Sequence, residues 1–475
     1  MKNIAKFNYT ELIEVFSYSK LVNIDSTNWK AIGVSTDSRT LEKDNLFVAI
    51  LGERFDGHNS LEEAFLRGAA AAVVSQSWFD NNKKDVIKYP LIVVKNTVEA
   101  LGELAKFHRN RFNIPIIAIA GSNGKTTTKD LIASILSTKY KVLKTYKSYN
   151  NQIGVPLMLL QLANDYDIAV LEIGTNTNGD IETLTEIIDP TDGLITNIGL
   201  EHLEMLIDIE GVEIEETFLF TYLNKKGRRC FVNMDDERLS KYDEILTNHY
   251  PFGIMNDTEH ILKIEFDSAL HPIISIYNND TEESIIVRLN ATGIAVAYNS
   301  IAAISVGLAF GLNTLEIVKG LSNYQPDTTN LYGRMIVETH KCMYILNDCY
   351  NANPSSMELA LQTLHMFKYG DTKIAVLGDM NELGVNSNEE HIKTIKYALE
   401  LANEVFVIGQ NMQKAAFEIT QENSNANLKV FGNYYEIASY FRMLNTNNAA
   451  KSNAILIKGS RNAEMERLVT MLKDI

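Results

Sequence analysis

The sequence is poor in the residues that mark specialised architectures. Three cysteines, Cys230, Cys342 and Cys349, are too few and too scattered over 475 residues for a disulfide framework or a zinc knuckle, and their number is odd. Eight prolines and 26 glycines exclude collagen-like and low-complexity chains. No apolar run approaches the ~18 residues that a membrane-spanning helix needs. The opening stretch, MKNIAKFNYTELIEVF, lacks an apolar core followed by a small-residue cleavage site. Positive charge is also short: 44 Lys and Arg face 60 Asp and Glu, a net of −16. Such a surface repels nucleic-acid backbones and anionic membranes, so neither is an expected partner. It still admits phosphorylated small molecules held by a few local cations. Together these absences point to a reducing, cytoplasmic location without membrane insertion.

What is present is ordinary globular material. Apolar residues make up 45% and charged residues 22% of the chain, and the length corresponds to roughly three domains at ~150 residues each. No period of 20 to 50 residues recurs, which excludes solenoids and propellers. Residues 1–112 mix short apolar runs at 46–50, 71–74 and 91–94 with helical patterns such as 62–66. From Asn113, strand-like runs at 116–119, 168–173, 193–198 and 230–233 alternate with helical segments, the signature of a parallel doubly wound sheet. After the polar stretch 323–330, four more runs at 343–346, 374–377, 405–408 and 455–457 alternate with helices at 357–367 and 392–402. The expectation is an α/β protein of three domains: 1–112, 113–330 and 331–475.

The most informative segment is Gly121-Ser122-Asn123-Gly124-Lys125-Thr126-Thr127-Thr128. It follows a predicted strand and precedes a helical pattern, the context that turns a Gly-Lys-Thr match into a phosphate site. Glycines let the backbone curl so that N–H groups face phosphate oxygens, and the helix N-terminus adds partial positive charge. Lys125 is placed to reach the β- and γ-phosphates, and the Thr126 hydroxyl to ligate Mg²⁺. Asn82-Lys83-Lys84-Asp85 matches a guanine-binding motif in form but lies upstream of the loop, so it reads as a solvated charged loop, and ATP is preferred to GTP. Glu172 ends a strand run where a second Mg²⁺ ligand belongs, and His202 follows a further strand.

These segments resemble the Mur ligases, ATP-dependent amide-bond ligases of peptidoglycan precursor synthesis. The resemblance is carried by the 121–128 loop, by Leu171-Glu172-Ile173-Gly174, and by Thr196-Asn197-Ile198-Gly199 with His202. The ends resemble the branch that adds D-Ala-D-Ala to UDP-N-acetylmuramoyl-tripeptide. They comprise Ser35-Thr36-Asp37-Ser38-Arg39, Gly52-Glu53-Arg54-Phe55-Asp56-Gly57-His58, the 150–157 segment, Gly333-Arg334-Met335, the 350–357 segment, and Val376-Leu377-Gly378-Asp379-Met380. The resemblance implies a UDP-sugar-binding domain, a central ATPase domain and a C-terminal Rossmann-like domain admitting the dipeptide. It also implies an acyl-phosphate intermediate, ATP and Mg²⁺ as cofactors, small-molecule substrates and a monomer. Carried onto this chain, Gly121, Ser122, Asn123, Gly124, Lys125, Thr126, Thr127, Asn299, Arg334 and Asp348 would contact the nucleotide. Thr126, Glu172, His202 and Glu216 would hold Mg²⁺. Lys125, His202, Arg334 and Glu216 would serve catalysis, and Ser38, Arg39, His58, Asn150, Asn151, Tyr350 and Asn353 would bind substrate.

Three departures from the family pattern stand out. The His-Asn usual before Asn299 reads Ala295-Val296-Ala297-Tyr298, removing polar groups near the nucleotide. The Gly-rich stretch usual after His-Leu-Glu reads Met205-Leu206-Ile207-Asp208, implying a reshaped loop. At the position of a lysine carbamylated in many members stands Glu216. It is already anionic at neutral pH but shorter by roughly 3–4 Å on bonds of about 1.5 Å. Either Glu216 replaces the carbamate, or it belongs to the exposed face of an acidic helix. Three functions follow: the D-Ala-D-Ala-adding ligase, a diverged paralogue joining another amine or acid, or a nucleotide-binding protein with little catalysis.

Overall fold

Three sheets built from the apolar runs follow one another along the chain in the computed structural model. It describes residues 2–24, 28–52, 55–254, 261–278, 281–329, 331–423, 426–447 and 451–475. Glu53 and Arg54 of the second N-terminal motif, and Asn330 of the polar stretch, lie outside the described residues. The first sheet has the strand order Lys20–Val22, Leu91–Val94, Ala71–Ser75, Leu46–Val48 and Val34–Ser35, accompanied by a two-stranded pair, Lys6–Asn8 with Lys30–Ile32. Asn82 to Asp85 fall within the helix Gln76–Val86, not in the loop expected from the sequence.

The central sheet is parallel throughout, in the order His249–Phe252, Arg229–Asn233, Asp192–Ile195, Ile116–Ala120, Ile168–Glu172 and Val142–Lys144. Its three middle strands are buried over their whole length, which is why they read as unbroken apolar runs. The run expected at 193–198 stops as a strand at Ile195, and 196–199 continues as loop. From Ile116–Ala120 the chain goes to the edge strand Val142–Lys144, returns through Ile168–Glu172 next to Ile116–Ala120, and then crosses to the other side at Asp192–Ile195. The crevice at the carboxyl end of Ile116–Ala120 is therefore the topological switch point, where such sheets bind ligands. A three-stranded antiparallel sheet, Ile261–Phe266, Pro272–Asn278 and Glu283–Arg288, follows.

The last sheet runs Ile336–His340, Met343–Asp348, Asn453–Lys458, Thr372–Gly378, Glu404–Ile408 and Leu428–Val430, with only the first strand antiparallel. One apolar cluster extends from Phe7 and Leu12 through Leu171 and Leu206 to Leu361 and Leu377. No helix among the described residues is long and apolar enough to cross a membrane.

Candidate active site

The phosphate loop occupies the switch-point crevice. Gly121 (φ +111°) and Gly124 (φ +81°) adopt a backbone that L side chains rarely take. A Cβ on Gly124 would lie 2.5 Å from Asn299 Oδ1, and one on Gly121 would lie 2.7 Å from the Thr196 amide. The loop rests on the segment after Asp192–Ile195: the Ser122 amide donates to the Asn197 carbonyl (2.9 Å) and the Asn123 amide to Asn197 Oδ1 (3.0 Å). Ser122 Oγ also accepts from the Gly199 amide at 2.8 Å. Three loop amides, those of Gly121, Ser122 and Asn123, are thus committed to protein acceptors. Phosphate binding falls to the N-terminal turn of the helix Lys125–Leu136, whose cap residue Gly124 supplies no side-chain bond and whose N–H groups lack intrahelical partners.

Lys125 folds back so that its ammonium donates to the Gly121 carbonyl, with Glu201 Oε2 at 3.9 Å. Burial pulls its pKa down, but the fields of Glu201, Glu216 and Glu172 outweigh this and hold it above the usual lysine value. Thr126 Oγ1 donates to Glu172 Oε2 and Asn150 Nδ2 to Glu172 Oε1, both at 2.8 Å. His202, in the left-handed region (φ +51°), donates from Nδ1 to Glu382 Oε2 at 2.5 Å, with Nε2 3.9 Å from Glu201 Oε2. Burial works against its charged form, yet the Glu382 bond and the Glu201 field prevail and raise its pKa.

Glu216 is fully buried, and the reading of an exposed acidic face is corrected. Within Glu213-Ile214-Glu215-Glu216 of the helix Ile209–Lys225 the exposed residue is Ile214, while Glu213, Glu215 and Glu216 turn inward. Each has separate work. Glu213 pairs with Arg238 (2.9 Å) and Lys241. Glu215 accepts from the amides of Gly179 and Ile181, both at 2.8 Å, at the start of the helix Asp180–Ile188. Glu216 Oε2 accepts from the Gly121 amide at 2.7 Å, whereas Glu216 Oε1 and Glu201 Oε1 are buried without partners. Burial drives the Glu216 carboxyl well above the usual range, against the pull of Lys125.

A cleft of about 1080 Å³ opens beside the loop, lined by Thr126, Thr127, Lys144, Arg334, Tyr350 and Arg461 among others. Arg334 is exposed and stacks 3.6 Å above the Tyr350 ring. Asp348 faces Lys458 Nζ (2.6 Å) and accepts from the Met335 amide (3.0 Å). Asn299 sits behind Gly124, while Val296, one of the departing residues, lines the cleft. The second departing stretch forms a short helix, Leu203–Leu206, followed by Ile207 at φ +74°, a costly conformation for a β-branched residue. Between the phosphate loop and the C-terminal unit, Asn353 Nδ2 donates to Asn123 Oδ1 and Asn123 Nδ2 to Ser355 Oγ, both at 3.0 Å.

The N-terminal candidates lie apart from this cluster. Arg39 is exposed and pairs with Asp37 (2.8 Å), and Ser38 Oγ donates to Glu63 Oε2 (2.8 Å). His58 is buried with both nitrogens engaged: Nδ1 bonds Asp56 at 2.6 Å and Nε2 accepts from the Ser75 amide at 3.0 Å. It also stacks on Trp78, so both its nitrogens and its ring face are engaged within the N-terminal unit. Asn151 Oδ1 accepts from the amides of Ile153 and Gly154, fixing the turn into the helix Gly154–Leu159. Sequence reasoning missed Glu201, Glu382, Lys458 and Arg461, each a charged residue with no local pattern to single it out.

Comparison with known proteins decides the family. The Mur ligase catalytic, middle and glutamate ligase domains match residues 31–109, 119–307 and 333–461. A UDP-N-acetylmuramoyl-tripeptide--D-alanyl-D-alanine ligase of Bacillus subtilis is 32% identical over 92% of both chains. The chain belongs to the Mur ligase family. The Escherichia coli protein of the same name is 30% identical over 93% of each chain. Among solved Mur ligases, a crystal structure of MurF from Acinetobacter baumannii matches over 100% of both chains with a TM-score of 0.88 at 28% identity. MurF from Thermotoga maritima in complex with ADP matches over 93% of this chain and 97% of its own, with a TM-score of 0.78 at 25% identity.

Proposed function

We propose that the chain is an ATP-dependent ligase that adds D-Ala-D-Ala to UDP-N-acetylmuramoyl-tripeptide in peptidoglycan precursor synthesis. The observation that carries this reading is the near-full-length likeness to ligases of that name, joined to a phosphate loop that faces a C-terminal unit across a nucleotide-sized cleft. The UDP-sugar is assigned to residues 1–112, ATP to 113–330 and the dipeptide to 331–475. A small cavity of about 210 Å³, lined by Asp379, Asn381, Ser460 and Asn462, suits the dipeptide in size. The enzyme is read as a cytoplasmic monomer, and its small-molecule chemistry requires no second copy.

A carboxylate is a poor acyl donor until one oxygen becomes a good leaving group. Its attack on the γ-phosphate also brings anions together, so positive charge must be arranged beforehand. The amides of the first helical turn and the Lys125 ammonium face the phosphates. Releasing Lys125 from the Gly121 carbonyl frees it to follow the transferring group. Arg334 reaches the same cleft from the C-terminal unit, and Asp348 stands by for the ribose. Thr126 and Glu172 offer hard-oxygen donors that would hold one Mg²⁺, and His202 with the orphan oxygen of Glu216 would help to hold a second, while the described residues gather no cluster of three His, Cys, Asp or Glu side chains around one point. When bound, the ion supplies charge neutralisation on the phosphoryl oxygens. Closure of the C-terminal unit excludes water from the acyl phosphate until the dipeptide amine attacks and phosphate leaves.

The test is the product itself. Incubation with ATP, Mg²⁺, UDP-N-acetylmuramoyl-tripeptide and D-Ala-D-Ala is expected to give the corresponding pentapeptide by mass spectrometry. Product formed only with a different amine would establish the diverged-paralogue reading instead.

A further inference from the structure

Among the described residues, two contacts of the C-terminal unit with the central unit involve the phosphate loop and the His202 segment. One is the Asn353–Asn123–Ser355 contact on the phosphate loop. The other is Glu382, on the loop that follows the strand Thr372–Gly378. We propose that Glu382 is a positioning residue which transmits docking of the C-terminal unit to the phosphate site by fixing the His202 ring.

Glu382 crosses between the units with both backbone and side chain. Its carbonyl accepts from the Glu204 amide at 3.3 Å, and its carboxylate accepts a hydrogen bond from His202 Nδ1 at 2.5 Å. Both residues hold left-handed backbones, φ +63° for Glu382 and φ +51° for His202, so the contact is built rather than incidental. Beyond His202, Glu201 Oε2 lies 3.9 Å from both His202 Nε2 and Lys125 Nζ. The charged groups therefore form one line from the C-terminal unit to the phosphate-loop lysine.

The loop that carries Glu382 is fixed within its own unit. Asp379 Oδ1 accepts from the Met412 amide at 2.8 Å, tying the loop to the helix Gln410–Glu422. The fully buried His391 accepts the Met380 amide on Nε2 at 3.0 Å and donates from Nδ1 to the Ser387 carbonyl at 2.6 Å. Leu383 is buried next to Glu382. A loop so anchored moves with its unit as a body, and only docking brings the carboxylate to His202. A carboxylate on one ring nitrogen sets which nitrogen carries the proton and how the ring is turned. Undocked, the ring is free to rotate; docked, Nε2 is held toward Glu201 and the loop. Loss of such an outer partner typically costs roughly 10–100-fold in the function of the group it orients.

The proposal rests on the ligase reading only for turnover, so nucleotide affinity and compaction are measured first. The variants are Glu382→Ala, Glu382→Gln, His202→Ala, the double variant, and Val385→Ala as a control on the same loop. ADP affinity with Mg²⁺ and the decrease in radius of gyration on adding ADP and Mg²⁺ are read without either acceptor substrate. Glu382→Ala is expected to weaken ADP binding about 10-fold and to diminish the compaction. Glu382→Gln, which still accepts the Nδ1 proton, should restore most of both. The double variant should be no worse than His202→Ala alone, the mark of two residues acting through one another. Multiplicative losses in the double variant, or Glu382→Ala behaving as Val385→Ala does, would overturn the proposal. Where the proposed substrates also support turnover, kcat should follow the same cycle. If they do not, the ligase reading fails while affinity and compaction still decide the role of Glu382.

Discussion

Glu216 carries the heaviest electrostatic burden of any single side chain in the site. Its carboxyl is fully buried, holds the Gly121 amide, and keeps one oxygen without a partner beside Lys125 and Glu201. Leaving a buried group unsatisfied costs about 1–3 kcal/mol, so this arrangement is retained against stability. Glu216→Ala should orphan the Gly121 amide, lower unfolding stability by about 1–3 kcal/mol and abolish Mg²⁺-dependent turnover. Glu216→Gln preserves an acceptor for Gly121 and should keep stability while still losing turnover. Calorimetry and steady-state kinetics on the two variants separate the structural contribution from the charge. Unchanged turnover in either variant would refute a functional role for this carboxylate.

At the scale of elements, the helix Ile209–Lys225 shows where sequence patterns mislead. Glu213-Ile214-Glu215-Glu216 reads as the exposed face of an acidic helix, yet the structure has only Ile214 of the four outside and the three carboxylates inside. Helical periodicity assumes that burial follows hydropathy; here it follows the positions of Arg238, the Asp180–Ile188 helix start and the phosphate loop, all distant in sequence. Ile214→Lys should change stability by less than about 0.5 kcal/mol, as surface substitutions do. Glu215→Ala should cost about 1 kcal/mol, as a lost helix cap does. A chemical-denaturation series checks both, and a large loss for Ile214→Lys would contradict the orientation.

The same contrast governs the rest. The strands Ile116–Ala120, Ile168–Glu172 and Thr372–Gly378 were legible because burial on both faces demands apolar runs. The strands Ile261–Phe266, Pro272–Asn278 and Glu283–Arg288 were not, since they form a small antiparallel sheet whose residues alternate between a buried and a more exposed face, as in Pro272–Asn278, and so give no unbroken apolar run. The phosphate loop, Glu172 and His202 announced themselves by local motif. Glu201, Glu382 and Lys458 acquire meaning only when separate strands bring them to the site.

For the whole molecule, function depends on how the units meet. The nucleotide cleft draws Thr126 and Thr127 from the central unit and Arg334 and Tyr350 from the C-terminal unit, so neither unit holds the site alone. The net charge of −16 belongs at this scale too. In so acidic a body, Lys125 beside the phosphate loop and Arg334 and Arg461 in the cleft are local concentrations of positive charge.

The most direct test of the account is release of inorganic phosphate from ATP and Mg²⁺, measured with each acceptor substrate alone and with both together. Phosphate release that requires both UDP-N-acetylmuramoyl-tripeptide and D-Ala-D-Ala, and that disappears in Lys125→Ala, is the predicted result. Release that ignores both substrates, or none when both are present, would contradict it.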